Sequence, residues 1–226
     1  MEINKKSIFC SWSGGKDSCL SMYRTIKQGA IPKLLFTMFT ENGIRSRSHG
    51  LHIDIVKAQA ESLNIPLLIR SATWNDYEAT FIDGLNTIEK TTDIRTGVFG
   101  DIDIEDNKKW VIDTCKKTSI TPYHPIWQEN RKNLLTEFIE AGFKAVIVAV
   151  KDGLIDKYFL GKTLDKNLIT ELEELNIDAC GEEGEFHTVV INGPIFKYPL
   201  NIELKDKLLR DGYWYIDISL INKNVS

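Results

Sequence analysis

The sequence predicts an α/β fold with a parallel sheet, followed by a smaller α+β domain. Short β-prone runs alternate with amphipathic helical segments through the first half of the chain, and this alternation stops after Ser119. Strands that alternate with helices of this length need right-handed crossovers, which produce a parallel sheet buried on both faces. The 226 residues are 42% hydrophobic and 27% charged, so the chain is globular and long enough for one large domain or two small ones.

Each element of the first half is predicted from its own residues. Ser7 to Ser11 is a β-prone run that ends in a Gly-Gly turn, and Lys16 to Gln28 has apolar residues at helical spacing. Asn64 and Pro66 end the second helix, because proline cannot continue a helix. In chain order, further strands are expected at 34–40, 66–70 and 96–99, and further helices at 53–63, 74–89 and 105–117.

The second half is predicted to begin with a rigid connector, Pro122-Tyr123-His124-Pro125, because each proline fixes its own φ and restricts the residue before it. We therefore expect two domains, residues 1–120 and 121–226. A Gly- and Glu-rich loop runs from Cys180 to Glu185. Helices are expected at 134–141 and 164–175, and strands at 143–150, 188–191 and 214–220.

Charge and hydropathy exclude several classes of protein. Lys and Arg number 28 and Asp and Glu number 32, and 28 − 32 gives a net charge of −4, which argues against a nucleic-acid partner. The longest apolar run, Ala145 to Val150, is far shorter than the roughly 20 residues that cross a bilayer. The four cysteines form no Cys-x-x-Cys pair and are expected to be reduced, buried thiols. We expect a soluble cytoplasmic protein that binds no membrane.

The segment Ser11-Trp12-Ser13-Gly14-Gly15-Lys16-Asp17-Ser18 predicts a phosphate site. A strand that leads through a Gly-Gly turn into a helix directs backbone N–H groups and the positive end of the helix dipole at one point. The hydroxyl groups of Ser13 and Ser18 add hydrogen-bond donors, and Lys16 adds a positive charge.

The segment is not a Walker A loop. Cys10 stands where that loop needs its first glycine, and Asp17 follows the lysine. A carboxylate beside a bound phosphate repels it unless Mg²⁺ lies between them or the carboxylate caps the helix. Asp17 is therefore predicted to bind Mg²⁺, with helix capping as the alternative.

Ser13 to Ser18 resembles the pyrophosphate loop of the ATP pyrophosphatases that share the adenine nucleotide α-hydrolase-like fold. The resemblance implies a Rossmann-like, HUP-type nucleotide-binding domain that adenylates a substrate and releases pyrophosphate. On this basis ATP is expected to contact residues of the loop and of the sheet edge: Ser11, Ser13, Gly14, Gly15, Lys16, Asp17, Ser18, His49 and Gly100. The loop alone leaves the acceptor substrate open.

Two short segments follow predicted parallel strands, at the sheet edge where ligands of open α/β sheets bind. Gly100-Asp101 follows the fourth strand, and Asp101 is expected to contact substrate or metal, with an N-cap of the next helix as the alternative. Ser48-His49-Gly50 follows the second strand and is expected to contact adenine or ribose, with a plain helix-entry turn as the alternative.

Several further motifs, spread over about residues 6 to 218, resemble the diphthine–ammonia ligase family. They are Gly97-Val98-Phe99-Gly100-Asp101-Ile102, Pro125-Ile126-Trp127, Leu160-Gly161-Lys162, Gly181-Glu182-Glu183-Gly184-Glu185-Phe186-His187-Thr188 and Asn192-Gly193-Pro194. The resemblance implies an ATP-dependent ligase that adenylates the carboxylate of diphthine, a modified histidine of a translation elongation factor, and amidates it with ammonia. The family's acidic motif has glycine where this chain has Glu183 and glutamate where it has His187, and the ending resembles the family's bacterial branch.

The acidic motif supplies the candidate catalytic groups of the second half. Glu182, Glu185 and His187 are titratable groups on one glycine-rich loop, and they join Lys16 and Asp17 as candidate catalytic residues. Asp101, Lys162, Glu182, Glu185 and Thr188 are the candidate substrate-binding residues. The alternatives are a solvated acidic turn, a structural histidine at 187 and a surface lysine at 162.

Three alternative functions remain open at this stage. One is a cobalamin-linked amidation, because relatives exist in organisms without diphthamide. A second is RNA modification by another ATP pyrophosphatase class, although thiolation would need a nucleophilic cysteine near ATP. The third is a non-catalytic adenine-nucleotide-binding module. A homodimer is a further hypothesis, and no motif of a glutaminase is evident, so free ammonium is the expected nitrogen source.

Overall fold

The computed structural model describes residues 2–221, which contain a five-stranded and a four-stranded sheet. The strands are Ser7–Ser11 (β1), Ile31–Thr40 (β2), Leu67–Ala72 (β3), Thr96–Val98 (β4), Thr121–Tyr123 (β5), Lys144–Lys151 (β6), Phe186–Asn192 (β7), Ile202–Arg210 (β8) and Tyr213–Leu220 (β9). The helices are Lys16–Lys27 (α1), Ile53–Leu63 (α2), Tyr77–Thr91 (α3), Glu105–Cys115 (α4), Arg131–Glu140 (α5) and Lys166–Glu174 (α6), with a 3₁₀ turn at Lys157–Phe159.

The described chain divides into two compact units that are discontinuous in sequence. Unit 1 comprises residues 2–13, 17–48 and 64–130, and unit 2 comprises residues 14–16, 49–63 and 131–221. We call residues 11–18 the glycine loop. The second unit therefore includes the tip of this loop, residues 14–16, and all of α2. The division into domains 1–120 and 121–226 stays a prediction.

Unit 1 contains the parallel sheet, with strand order β3-β2-β1-β4-β5. All four neighbouring strand pairs are parallel, which confirms the predicted α/β class. Phe9 and Phe36 on the sheet pack with Leu85 and Ile88 of α3 in one buried cluster. Because the strands are parallel, the residues that follow β1, β4 and β5 lie at the same edge of the sheet.

Unit 2 contains the antiparallel sheet, with strand order β7-β6-β9-β8. Ile147 of β6 is opposite Thr188 of β7, and Val150 is opposite Trp214 of β9. Residues 145–150 of β6 are all buried, as expected for the apolar run predicted to be a strand. The antiparallel sheet and its helices confirm the α+β character of the second half.

Most predicted elements agree with the structure to within about three residues at each end, and there are two differences. Thr121–Tyr123 is the strand β5, paired with β4, so the prediction of a connector without a strand was wrong for its first half. The strand β8 was missed, because all but one of its residues are exposed and it has no buried face to set a period of two. The turn Asp211-Gly212, with φ of 51° and 78°, was the hairpin signal that could have found it.

Two expectations from composition can be compared with residues 2–221. No helix in this range is both long enough and apolar enough to span a membrane. The four cysteines are buried, as predicted.

Candidate functional site

Unit 2 brings the glycine loop and the acidic motif together. The side chain of Lys16 is 7% exposed, and its Nζ lies 3.6 Å from Oε1 of Glu182, whose side chain is 14% exposed. Two predicted catalytic residues, 166 positions apart in sequence, therefore form a largely buried ion pair. Each charge compensates the other, which lowers the cost of placing both away from water.

The backbone of the loop is bonded to the strand β7. The amide of Lys16 donates to Oγ1 of Thr188 over 3.2 Å, and the amide of Val190 donates to the carbonyl of Gly14 over 2.9 Å. Thr188, predicted to bind substrate, thus contacts the loop directly. These bonds hold the backbone of Gly14 to Lys16 in one conformation.

Gln59 of α2 completes this connection. Its Nε2 donates to the carbonyls of Gly14, over 2.9 Å, and of Val190, over 2.7 Å, and the side chain is fully buried. Gly14 has φ +80°, and a Cβ added there would lie 2.6 Å from Oε1 of Gln59. Sequence reasoning missed Gln59; the signal was an amide on the buried face of an amphipathic helix, beside Ile55 and Val56.

Two histidines lie against this loop. Nδ1 of His49 is 2.7 Å from the carbonyl of Thr188, which places a proton on that nitrogen. A Cβ on Gly15 would lie 2.2 Å from Cε1 of His49, so glycine is required for this approach. The ring of His187 lies 4.9 Å from that of His49 and is stacked at 5.7 Å on Tyr213.

The environment of His187 keeps its imidazole neutral. Burial, followed by the positive charges of His49 and Lys16, lowers the pKa of His187 to about 3. A neutral imidazole at physiological pH can donate and accept hydrogen bonds, but it has no extra proton to give as an acid.

The Gly- and Glu-rich loop, residues 180–185, is called the acidic loop below. It is held in place by a carboxylate that sequence reasoning also missed. Asp178 accepts hydrogen bonds from the amides of Cys180 and Glu182, and from Nη1 of Arg131 over 2.7 Å. Glu185 is 6% exposed, and its Oε2 accepts from the amide of Glu183. The interpretation of a solvated acidic turn is therefore wrong at Glu185.

Tyr213 of β9 lies beside the same loop. Its hydroxyl donates to the carbonyl of Gly184 over 2.7 Å, and burial raises its pKa. With Glu185 and the ring of His187, it forms a side of the site that combines negative charge with aromatic faces.

Lys162 lies in a different set of contacts. Its Nζ is 3.1 Å from Oε2 of Glu171 on α6 and 3.3 Å from the centre of the Tyr158 ring. These partners favour the alternative of a structural surface lysine, and a role for Lys162 in substrate binding stays a prediction.

Unit 1 contains the remaining loop residues. Ser11 ends β1, and the hydroxyl groups of Ser13 and Ser18 are 3.2 Å apart. Asp17 is the second residue of α1, where a carboxylate interacts favourably with the helix dipole. A Cβ on Gly100 would lie 3.0 Å from the backbone of Asp17 and Ser18, so only glycine allows this approach.

Asp101 pairs with His124 inside unit 1. Oδ2 of Asp101 lies 3.0 Å from Nδ1 of His124, and the two side chains are 18% and 7% exposed. The alternative that Asp101 is the N-cap of the next helix was wrong, because α4 begins at Glu105 with Ile104 as its cap. His124 was not predicted to be functional, since it was assigned to the connector.

The described part of the chain shows no metal cluster, and the thiols of Cys10 and Cys19, which flank the loop in sequence, are not reactive. Among residues 2–221, no three His, Cys, Asp or Glu side chains converge as metal ligands. Burial raises the pKa of Cys10 and of Cys19, so these thiols stay protonated at neutral pH. This observation counts against thiolation chemistry at the loop.

Comparisons with known proteins cover nearly the whole chain. Residues 6–122 match the model of the diphthamide synthase N-terminal domain, and residues 130–225 match that of the diphthamide synthase C-terminal domain. The chain is 27% identical to the diphthine–ammonia ligases of Mus musculus and Homo sapiens, over 88% of this chain and 84% of each relative. A solved U34-tRNA thiolase from Methanococcus maripaludis is 14% identical, over 81% of this chain and 72% of that one, with a TM-score of 0.40.

Proposed function

Because the chain belongs to the diphthamide synthase family, we propose that it is an ATP-dependent ligase that adenylates a carboxylate and amidates the product with ammonia. The observation that carries the proposal is the loop from Gly14 to Lys16, whose backbone is bonded to β7 and whose lysine faces Glu182. A fixed glycine backbone beside a buried lysine is suited to a polyphosphate, because preorganised donors need no rearrangement when charge develops.

The loop residues bind ATP in this proposal. Gly14, Gly15 and Gly100 each pack against other atoms of the protein, so a Cβ at any of them would disturb the backbone that is proposed to hold the pyrophosphate. Ser13, Lys16 and Ser18 contribute the side-chain donors. Mg²⁺ bound to ATP needs only one or two protein carboxylates in addition to phosphate oxygens, so Asp17 alone fits that role.

The acidic loop binds the acceptor. Glu182 pairs with Lys16, Thr188 accepts from the Lys16 amide, and the charge of Lys16 acts on His187, so an acceptor carboxylate activated by ATP is proposed to be held beside this lysine. The acceptor in the proposal is diphthine on a translation elongation factor in the cytoplasm. Its quaternary ammonium group fits the negative charge of Glu185 beside the aromatic face of Tyr213.

Neutral His187 separates this chain from the usual family pattern. A glutamate at this position would add a negative charge next to Glu185, whereas the buried imidazole adds none. Glu183, where the family has glycine, adds a negative charge, so the two departures move a charge within the acidic motif rather than remove one. The cobalamin-linked alternative differs from the proposal only in the acceptor that this site receives.

The proposal is tested by incubating the purified protein with ATP, Mg²⁺, ammonium chloride and an elongation factor that carries diphthine. We expect AMP and pyrophosphate in equal amounts, and a mass decrease of the factor that corresponds to conversion of a carboxylate to an amide. Lys16→Ala should lose at least about a hundredfold in rate, since a preorganised charge on the transition state is removed. Lys166→Ala, at an exposed pair with Glu140, is the matched control. Absence of AMP with the wild-type protein contradicts the proposal.

A further inference from the structure

Unit 1 contains a buried polar pair whose hydrogen-bonding capacity is not used. Among residues 2–221, five buried side-chain polar atoms lack a hydrogen-bond partner, and three of them belong to this pair: Oδ2 of Asp101 and both ring nitrogens of His124. The carboxylate and imidazole are close, at 3.0 Å, but they are not aligned for a hydrogen bond. A buried polar group without a hydrogen-bond partner is costly, so such a concentration at one point indicates a bound partner.

The pair lies at the ligand-binding edge of the parallel sheet. Val98 of β4 is directly opposite Tyr123 of β5, and Asp101 and His124 follow the ends of these two neighbouring strands. Gly100, next to Asp101, lies against the first residues of α1. The pair is therefore close to the part of the loop that is proposed to bind ATP.

Aromatic rings surround the pair, and its own carboxylate favours a cation. The ring of Phe99 stacks on His124 at 5.7 Å, and the ring of Trp127 meets it edge-on at 6.3 Å. Nζ of Lys108 lies 3.9 Å from the centre of the Trp127 ring and occupies this aromatic face, so the choice of ligand rests on the polar pair itself. The carboxylate of Asp101 disfavours an anion, and among residues 2–221 no third His, Cys, Asp or Glu joins the pair to form a metal site made by the protein alone.

We propose that Asp101 and His124 form the binding site for ammonium, the second substrate. Ammonium is small, positively charged and carries four N–H donors, which match a carboxylate oxygen and an imidazole nitrogen that lack donors. Asp101 at 18% exposure leaves access from solvent. This role rests on the proposed ligase function.

The chemistry of amidation is consistent with this pair. Ammonium gives one proton to an imidazole nitrogen of His124, and the ammonia nitrogen then forms a bond to the carbonyl carbon of the acyl adenylate. The bond between that carbon and the AMP oxygen breaks, AMP leaves with the electron pair, and the second proton goes from the new amide nitrogen to water.

Kinetics with varied ammonium chloride test the site. Asp101→Asn and His124→Phe keep the side-chain shapes but remove the charge or the ring nitrogens. We expect kcat/KM for ammonium to fall at least about tenfold in each variant while KM for ATP changes less than about twofold. His52→Gln and Asp54→Asn, at an exposed His–Asp pair on unit 2, are matched controls that should change neither constant. If both test variants keep kcat/KM for ammonium within twofold of wild type, the proposal is wrong.

A binding measurement separates the site from the ligase function. At ten times its dissociation constant, ammonium chloride should raise the melting temperature by about 4 °C more than sodium chloride of equal ionic strength. Both test variants should lose this difference. If the difference is present in wild type and lost in the variants but no acceptor is amidated, the ligase function fails and the site stands. If acceptors are amidated but wild type melts identically in the two salts, the site fails and the function stands.

Discussion

The buried polar groups around the glycine loop in unit 2 have partners within the protein, whereas those of Asp101 and His124 in unit 1 lack hydrogen-bond partners. In unit 2, the carbonyl of Gly14 accepts from Val190 and from Gln59, and the ion pair of Lys16 with Glu182 is formed within the protein. In unit 1, the buried polar atoms of Asp101 and His124 have no aligned partner. A satisfied network fixes the chain's own backbone, whereas an unsatisfied pair lowers stability until a ligand supplies the missing bonds. The difference teaches that the contacts of unit 2 fix the backbone of a loop that is proposed to bind ATP, whereas the pair in unit 1 is itself proposed to bond a ligand.

The largest expected effect comes from breaking the satisfied network at its tightest point. In Gly14→Ala, the methyl group would lie 2.6 Å from Oε1 of Gln59, which cannot move without losing two hydrogen bonds, and φ is +80°. We expect affinity for ATP to fall about a hundredfold, roughly 2.7 kcal/mol. Isothermal titration with ATP and Mg²⁺ measures this change.

Gly142→Ala is the matched control for that prediction. Gly142 has φ +92° but nothing within 4 Å of its added Cβ, so it has the same backbone strain without the collision. Both variants should lose stability, and only Gly14→Ala should lose affinity for ATP. Equal affinities in the two variants would show that the contact with Gln59 does not matter for the loop.

Gln59→Leu breaks the same network from the side of the helix. The variant leaves the carbonyls of Gly14 and Val190 without their side-chain donor, and we expect a loss of about 2 kcal/mol in the free energy of unfolding. KM for ATP should rise about tenfold with a smaller change in kcat. The control is Ser62→Ala, on the same helix. This variant removes a buried hydroxyl group that donates to the carbonyl of Tyr198 and accepts from its amide. A normal KM in Gln59→Leu would contradict a positioning role.

The network was only partly predictable from sequence, and the reason is the distance along the chain. The bounds of β1 and α2 were predicted to the residue, because glycine and proline mark the ends of these elements locally. The residues of the glycine loop and of the acidic motif were also named from local patterns. Their bonds, such as those from Gln59 to Gly14 and Val190, join positions 45 and 131 apart, and no local pattern encodes which carbonyl an amide will meet.

Asp101 and His124 also show that local sequence patterns do not predict which distant residues will meet. Asp101 was predicted to be functional from its place after a strand, but His124 lay in a segment assigned to a connector between prolines. Only the pairing of β4 with β5 brings the two residues to one edge. The strand of three residues was too short to give a period in the sequence.

A smaller effect is expected from replacing His187, and it concerns the pH dependence of stability alone. The pKa of His187 is about 3 in the folded protein, below the ordinary value of 6.5, so the unfolded chain binds the proton first. Stability is therefore lost as pH falls from 6.5 toward 3. His187→Gln should remove this loss, with a gain relative to wild type of about 1–2 kcal/mol at pH 5 and no pH-dependent gain above pH 7.5.

Urea unfolding of both proteins at several pH values measures this gain. His52→Gln is the control, because it makes the same substitution at a side chain that is 37% exposed. A constant difference between His187→Gln and wild type from pH 5 to 8 would mean that the imidazole is protonated as readily in the folded protein as in the unfolded chain.

The smallest expected effect is that of replacing Lys162. Its ion pair is partly exposed, unlike that of Lys16, and its charge has partners, unlike the atoms of Asp101 and His124. Its Nζ pairs with Glu171 and lies over the Tyr158 ring, and the Glu171 side chain is 40% exposed. Surface pairs of this kind contribute little to stability, so Lys162→Ala should leave the free energy of unfolding nearly unchanged. The KM for the acceptor should stay within about twofold of wild type, because the partners of this lysine already satisfy its charge. A tenfold rise in that KM, with stability unchanged, would instead place Lys162 among the substrate-binding residues and extend the acceptor site beyond the acidic loop.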